Sequence, residues 1–280
     1  MHRYWKIVRK VSLTCLFLLA CGREKTASTR SESAAESGSA SPPAERLPLA
    51  PGEPRSFALL ELFTSEGCSS CPPADRELAA VTELAERTGR HVITLSFHVD
   101  YWNDLGWTDP FSDARYTARQ QQYLRVFNRR SAYTPELVVN GSEEFVGSDQ
   151  TALRDAMMRA LAQPAKVAVN VESELREGKL EVRYASGGDA ARALVQLALV
   201  QSRAPSRIEA GENGGLAAMH RNVVRDLVVR EVRLPDQGEV AFELEQTAGA
   251  QDFSAAVIVS DPQTRAVWGA GVSQVLVAAR

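Results

Sequence analysis

The Cys-Ser-Ser-Cys segment from Cys68 to Cys71 constrains the fold of this chain more than any other feature. It stands between an apolar run, residues 57–63, which predicts a buried strand, and residues 72–88, whose apolar periodicity predicts a helix. A cysteine at such a junction lies at a helix N-terminus, where unpaired N–H groups favour the thiolate. The motif therefore predicts a redox-active pair, in which Cys68 attacks and Cys71 resolves the mixed disulfide.

The N-terminal residues predict export from the cytoplasm. Four basic residues among the first ten precede an apolar run, residues 11–20, which is too short to span a bilayer and is typical of a secretory signal. The run ends in Leu-Leu-Ala before Cys21, a pattern similar to a bacterial lipobox, so Cys21 is the expected site of lipidation. The alternative is an ordinary signal peptide with an incidental cysteine. Gly22 favours an outer-membrane anchor that faces the periplasm.

The cysteine count then leaves one usable pair. The chain has four cysteines, of which Cys15 lies within the signal and Cys21 is expected to carry lipid. In an oxidising compartment, the remaining Cys68 and Cys71 are expected to act together. Because no second pair remains, a structural zinc site of four cysteines is excluded.

Composition divides the chain into four segments. Residues 1–20 are the predicted lipoprotein signal peptide, and residues 21–54, rich in serine and proline, predict a disordered tether to the membrane. Residues 55–164 follow the order strand, CxxC, helix, strand, helix, proline, strand, turn, strand, helix, which predicts an α/β thioredoxin-like domain. Residues 165–280 predict an all-β, sandwich-like C-terminal domain.

The C-terminal prediction depends on alternating apolar and polar residues between turn signals. Glu177-Gly178 and Gly187-Gly188 are the turn signals, and they predict short antiparallel strands, seven in all. The expected strands include residues 193–200, 222–232, 239–244, 253–259 and 266–277.

Three residues are the candidates for substrate binding. Thr134 and Pro135 directly precede an expected strand, where thioredoxin-like proteins carry a cis-proline that faces the CxxC and shapes a groove for extended substrate backbone. A trans proline that opens an edge strand is the alternative. Trp102 is predicted to line the same groove, although packing of the neighbouring helix also explains an aromatic residue there.

Glu61 is the candidate acid for catalysis. It lies inside the apolar run before the CxxC, where a buried carboxyl with a raised pKa would help to move the proton of Cys71. The alternative is a strand-end glutamate that faces water. Asp75, in the expected helix, is interpreted as a partner of the helix dipole.

The remaining polar residues support weaker hypotheses. His98 could join Cys68 and Cys71 in a copper site, but a hydrogen-bonded structural histidine is the favoured interpretation, and neither a metal nor a cofactor is predicted. Residues 211–225 are the densest polar cluster, interpreted either as a partner-binding loop or as a glycine-rich hairpin. The formal net charge of −3 gives no support for a nucleic-acid partner.

Four blocks of sequence resemble a known family: LFTSEGCSSCPPAD, SFHVDYWNDLGW, YTPELVVNG and NVVR. They are similar to a secreted bacterial family of unknown function with a thioredoxin-like fold, over about residues 57–277. The resemblance implies a thioredoxin-like domain with a β-rich extension, and matches Cys68, Cys71 and Pro135 to the family motifs. It supplies no reaction. The chain departs from the family at residues 214–218, where related chains have more basic residues.

These observations predict an extracytoplasmic, membrane-anchored thiol–disulfide oxidoreductase that acts on the cysteines of other proteins. Two alternatives remain open at this stage. One is a non-catalytic envelope lipoprotein, in which Cys68 and Cys71 form a permanent disulfide and the β-rich segment binds a partner. The other is the copper-handling protein with His98.

Overall fold

The structure, a computed structural model, describes residues 49–244, 249, 252–273 and 275–277. The predicted signal peptide, the predicted lipidation site Cys21 and most of the predicted tether lie outside the described residues. Ten strands and three helices lie within these described residues, and after residue 161 only strands follow there. The helices are α1 (Cys71–Thr88), α2 (Ala114–Val126) and α3 (Gln150–Leu161). The strands are β1 (Ala58–Thr64), β2 (Val92–His98), β3 (Glu136–Val139), β4 (Glu143–Val146), β5 (Val169–Arg176), β6 (Lys179–Arg207), β7 (Ala217–Glu243), β8 (Phe253–Ser260), β9 (Val267–Val272) and β10 (Val275–Val277).

β1 is the central strand of the N-terminal half, and all seven of its residues are buried. It pairs in parallel with β2 and antiparallel with β3, which continues into β4 through the Asn140-Gly141 turn. Leu60 and Leu62 pack with α1 and α3 on one face of β1, whereas Leu59 packs on the other face, which α2 covers. Because helices cover both faces, the strand is apolar almost throughout.

The C-terminal half contains fewer and longer strands than the sequence predicts. β6 has 29 residues and β7 has 27, and the two pair antiparallel along their length. The Glu177-Gly178 turn joins β5 to β6 as expected. Gly187-Gly188 makes no turn, because it lies inside β6, where the pairing with β7 shifts register between Ser186 and Ala190. Such a bulge bends a strand without ending it.

One hydrogen-bonded sheet joins the two halves of the chain. β7 meets β2 in parallel at Val223 and Ser96, so the strand order runs β10-β5-β6-β7-β2-β1-β3-β4, with β8 and β9 paired beyond β6. The expected boundary at 164/165 falls in the connection between α3 and β5. Among the described residues, no helix is long and apolar enough to cross a membrane.

Candidate functional site

The two cysteines form a disulfide at the start of α1. The Cα atoms of Cys68 and Cys71 lie 5.4 Å apart, and the backbone N–H of Cys71 donates to the carbonyl of Cys68. Two prolines follow Cys71 in the first turn, where a missing N–H costs little. Both cysteine side chains are fully buried, whereas Ser69 and Ser70 between them are exposed. Attack on either sulfur therefore requires local movement of the atoms that cover it.

The three predicted substrate-binding residues lie together beside this disulfide. The Thr134–Pro135 peptide bond is cis, as expected. The hydroxyl of Ser70 donates to the carbonyl of Thr134 at 3.4 Å, and the indole N–H of Trp102 donates to Oγ1 of Thr134 at 2.9 Å. The CxxC loop and the Thr134-Pro135 loop are thus in direct contact.

A side chain on α2 also holds the Thr134-Pro135 loop in place. Nε2 of Gln120 donates both to the carbonyl of Tyr133 at 2.8 Å and to Oε2 of Glu136 at 2.7 Å. Burial, and then the charge of Glu144, raise the pKa of Glu136 to about 7. The sequence analysis missed both Gln120 and Glu136, because neither stands in a recognisable motif.

Glu61, the predicted catalytic acid, lies on the face of β1 that is opposite to α1. Its carboxylate accepts from Nε of Arg119 at 2.8 Å and from the hydroxyl of Tyr123, both on α2. It is fully buried. The alternative interpretation, a glutamate that faces water, is therefore wrong. The side chain therefore forms a buried ion pair on the α2 side, and the structure does not bring it to the disulfide.

Asp75 lies on α1, four residues beyond Cys71 and therefore on the same side of the helix. The hydroxyl of Thr64 donates to Oδ1 of Asp75 at 2.9 Å. Burial raises the pKa of this carboxyl, and the nearby His220 and His98 offset only part of that effect. A carboxyl that keeps its proton more readily than usual thus lies one helical turn from Cys71.

A buried polar network lies behind the CxxC loop. Nδ1 of His98 and Oδ2 of Asp109 are 2.7 Å apart, and Oδ2 also accepts from the backbone N–H of Glu66. Nε2 of His220 lies 3.0 Å from Oε1 of Glu66, and the indole of Trp107 donates to the second oxygen of that carboxylate. The network joins the CxxC loop to the loop after β2 and to the start of β7.

Charges within this network shift the pKa values in opposite directions. Burial disfavours the His98 imidazolium, but the Asp109 carboxylate, together with Asp75 and Glu66, outweighs burial and raises the pKa of His98. Burial likewise acts to raise the pKa of Asp109, but His98 and the backbone N–H groups of Glu66 and Phe111 together outweigh it, so that the pKa of Asp109 is lowered. Burial is also outweighed at Glu66, where the hydrogen bond with His220 helps to lower the pKa.

The connection between β6 and β7, residues 208–216, covers the CxxC loop, and we call it the β6–β7 tip. Nδ2 of Asn213 donates to the carbonyls of Glu66 and Cys68 at 2.8 and 2.9 Å. The carboxylate of Glu212 accepts from the backbone N–H of Ser69 at 3.2 Å. These residues belong to the polar cluster seen in the sequence, but the sequence gives no sign that the cluster folds back onto the cysteines.

A cavity of about 250 Å³ lies beside the disulfide, between the first turns of α1 and the β6–β7 tip with the start of β7. Glu66, Asp75 and His220 line it together with the exposed Leu216 and Met219. Water in this cavity would reach the carboxyl of Asp75.

The residues of the copper hypothesis do not form a metal site in the described part of the chain. No group of three or more histidine, cysteine, aspartate or glutamate side chains is placed there to hold a metal ion. His98 uses Nδ1 on Asp109, and its ring lies against that of His220, with the two centroids 4.7 Å apart. His98 is thus a buried, hydrogen-bonded histidine.

Comparison with known proteins identifies a family whose function is unknown. A family model described as "Protein of unknown function (DUF1223)" matches residues 59–260. No curated protein matches the chain.

Three solved structures are similar to parts of the chain. Protein AGR_C_4864 from Agrobacterium tumefaciens is 26% identical, with a TM-score of 0.60 over 79% of this chain and 95% of that one. HBP35 of Porphyromonas gingivalis is 16% identical, with a TM-score of 0.58 over 79% of this chain and 76% of that one. A domain of the outer membrane lipoprotein Omp28 from Porphyromonas gingivalis is 17% identical over 41% of this chain and 92% of that one, but its TM-score of 0.32 supports no argument.

Proposed function

The chain belongs to the DUF1223 family of unknown function, and we propose that it is a thiol–disulfide oxidoreductase acting on the cysteines of other proteins. One observation carries the proposal. The only two cysteines in the described part of the chain form a disulfide at the start of α1, and they lie against the Thr134-Pro135 loop and one turn from Asp75. A disulfide that serves only to hold the fold together needs neither neighbour.

The sheet order supports the thioredoxin-like arrangement that we propose for the N-terminal half. β1 lies between the parallel β2 and the antiparallel β3, and β3 continues into the edge strand β4. α1 and α3 pack on one face of this sheet, and α2 packs on the other. In this order the CxxC follows the central strand, so the helix N-terminus and the Thr134-Pro135 loop meet at one end of the sheet.

In the proposed reaction, a client thiolate attacks Sγ of Cys68. A mixed disulfide forms, the Cys68–Cys71 bond breaks, and the electron pair of that bond leaves with Sγ of Cys71, which then takes up a proton. A second client thiolate attacks the client sulfur of the mixed disulfide and releases Cys68 as a thiolate. The client leaves as a disulfide and the protein as a dithiol. The same steps in reverse reduce a client disulfide.

Asp75 replaces Glu61 in this proposal as the acid that serves Cys71. Glu61 is paired with Arg119 on the other face of the sheet, whereas Asp75 lies on the helix of Cys71 and lines the adjacent cavity. Because burial raises the pKa of Asp75, the carboxyl retains a proton that it can give to the departing Cys71 thiolate.

We place the protein in the cell envelope, anchored by a lipid on Cys21 and facing the periplasm from the outer membrane. The basic N-terminus, the short apolar run and the cysteine after Leu-Leu-Ala support this location. The serine- and proline-rich tether would let the folded part work away from the membrane surface.

A second candidate function is that of a non-catalytic envelope lipoprotein with a permanent disulfide. The observation that supports it is the burial of both sulfur atoms, because an exposed attacking cysteine is the usual feature of a catalyst. The β-rich segment would then bind an envelope partner.

A titration in redox buffers separates the two candidates. The chain without residues 1–21, in which Cys68 and Cys71 are the two remaining cysteines, is equilibrated with mixtures of reduced and oxidised dithiothreitol, and free thiols are counted after alkylation. We expect two thiols to appear together, at a potential above about −300 mV, because structural disulfides in exported proteins lie below that value. Cys68→Ser and Cys71→Ser are the matched controls and should show no two-thiol step. A pair that stays oxidised below about −300 mV would support the permanent disulfide.

A further inference from the structure

The carbonyl groups of the CxxC loop are held by a residue from a distant part of the chain. Asn213 is 145 residues beyond Cys68, and its side-chain amide donates to the carbonyls of Glu66 and Cys68 at 2.8 and 2.9 Å. Its side chain is buried, with 6% exposure. The position of this amide is fixed, because a buried donor that loses its acceptors is left unpaired away from water.

The shape of the β6–β7 tip fixes Asn213 in this position. The backbone N–H of Gly214 donates to the carbonyl of Gly211, and that of Leu216 donates to the carbonyl of Asn213. Gly211 has a φ of 74°, and a Cβ there would lie 3.0 Å from Cβ of Trp107. Only glycine combines this backbone conformation with so close an approach. The tip is therefore seated against the loop after β2 as well as against the CxxC loop.

The two contacts change the electrostatic surroundings of the Cys68 sulfur. A peptide carbonyl presents partial negative charge, which disfavours a thiolate nearby, and a donor bound to that carbonyl reduces this effect. Asn213 binds the carbonyl of Cys68 itself and that of Glu66, two residues earlier. It is neutral, so it changes the local potential without adding a charge that would need a partner.

We infer that Asn213 is a positioning residue for the redox site, which holds the CxxC loop in the conformation that favours the Cys68 thiolate. The inference rests on the proposed function, because a thiolate matters only if the pair is reduced. It assigns to the C-terminal half of the chain a direct part in the reactivity of the N-terminal half. Asn213 acts through the loop and does not touch the client.

Other charged groups surround the same loop and stay unchanged when Asn213 is replaced. Glu212 contributes a carboxylate from the tip and Asp75 one from α1. The polar network adds Glu66 on the loop, Asp109 and His98 on the β2 side, and His220 on β7. A shift in Cys68 ionisation that follows substitution of Asn213 alone therefore reports the loss of its amide.

The test measures the rate of alkylation of Cys68 against pH in the chain without residues 1–21 that carries Cys71→Ser, where Cys68 is the one thiol, with iodoacetamide as the probe. The midpoint of the curve gives the pKa of the Cys68 thiol, and the plateau at high pH gives its accessibility. We expect Asn213→Ala to raise the midpoint by about one pH unit, which is about a tenfold loss of thiolate near neutral pH. The plateau should stay equal or rise, because the cover over Cys68 becomes looser.

Three further variants keep the result interpretable. Asn213→Leu has a similar shape without donors and should raise the midpoint as the alanine does, which covers the case in which alanine unfolds the tip. Asn213→Gln retains the donors and should restore most of the wild-type midpoint. Asn170→Ala is the matched control, because it removes an amide on β5, away from the cysteines, that donates to the backbone carbonyl of Ala50.

Equal midpoints in the wild-type, Asn213→Ala and Asn213→Leu proteins, with their far-UV circular dichroism unchanged, would overturn the inference. This measurement needs no client protein. If the Asn213 variants shift the alkylation midpoint as expected but Cys68 and Cys71 never exchange disulfides with other proteins, the proposed function is contradicted. The positioning role of Asn213 then still holds.

Discussion

Asp75 and Glu61 show how two carboxyl groups near one motif differ in their roles. Sequence analysis selects Glu61, because a carboxylate inside an apolar strand stands out. The structure pairs Glu61 with Arg119 and gives Asp75 the position on the side of α1 that carries Cys71. The face of a strand on which one residue lies depends on register, and a difference of one residue reverses it. The motif could be predicted from sequence, but the pairing of Glu61 with Arg119 on the far face of β1 could not.

Substitution of Asp75 tests the assignment of the acid. As pH rises through the raised pKa of Asp75, the carboxyl loses the proton that it gives to Cys71, so the rate of disulfide reduction per attacking thiolate should fall. Asp75→Asn should be slower than the wild type below that pKa, by up to about a hundredfold, and should lose this pH dependence. Stopped-flow reduction by dithiothreitol at several pH values measures both effects. An unchanged pH profile in Asp75→Asn would contradict the assignment.

Substitution of Glu61 should affect stability instead. Glu61→Gln leaves the buried Arg119 without its counter-charge, and breaking such a pair from one side costs about 3–5 kcal/mol. Urea unfolding should show this loss, while the pH profile of disulfide reduction remains that of the wild type. The double variant Glu61→Leu, Arg119→Met removes both charges and should recover part of the lost stability. A changed pH profile with unchanged stability would return Glu61 to the role of catalytic acid.

At the scale of elements, the N-terminal strands and helices and β8 are close to those expected, whereas β6 and β7 are much longer than the strands expected there. The apolar run before the CxxC and the apolar periodicity after it are local signals, and each gives an element within about one residue of the predicted place. Gly187-Gly188 is also a local signal, but continued pairing of β6 with β7 overrides it. Only the partner strand decides whether two glycines make a turn or a bulge.

The β3–β4 turn packs against the turn between β8 and β9, and a glycine substitution tests that contact. A Cβ at Gly141 would lie 2.1 Å from the carbonyl oxygen of Arg265, and its φ is 64°. Gly141→Ala should therefore lower the free energy of unfolding by at least about 3 kcal/mol in urea titrations. Gly178→Ala is the matched control: it has a φ of 79° with no atom within 4 Å, so only backbone strain of about 1 kcal/mol is expected. Equal losses in both would contradict the close packing of the two turns.

At the scale of the whole molecule, the two predicted domains share a hydrophobic core. One cluster of buried side chains contains Leu59 and Phe97 from the N-terminal half, and Val200, Val224 and Ile258 from the C-terminal half. The sequence shows that mixed helix and strand patterns give way to strand patterns alone near residue 165. It gives no measure of how much apolar surface the two halves bury together. That surface depends on the β2–β7 pairing, which joins residues more than 120 positions apart in the chain.

This shared core predicts that the folded part unfolds as one unit. Each fully buried apolar side chain in the cluster contributes about 1.5–3 kcal/mol to the free energy of unfolding. Separation of the two halves would expose these side chains, so neither half is expected to stay folded when the other unfolds. Urea unfolding of the chain without residues 1–20, followed by tryptophan fluorescence and by far-UV circular dichroism, should give coincident single transitions. Two separate transitions would support independent domains at residues 55–164 and 165–280.

The central claim is that the Cys68–Cys71 pair exchanges disulfides with other proteins, and trapping in the bacterial envelope tests it most directly. The full-length chain with Cys71→Ser is expressed beside Cys68→Ser and the double variant, and free thiols are blocked with N-ethylmaleimide before non-reducing electrophoresis. We predict that Cys71→Ser alone accumulates high-mass species that disappear on reduction, because Cys68 can attack a client but no partner resolves the bond. Equal amounts of such species in Cys68→Ser, or none in any variant, would contradict the claim.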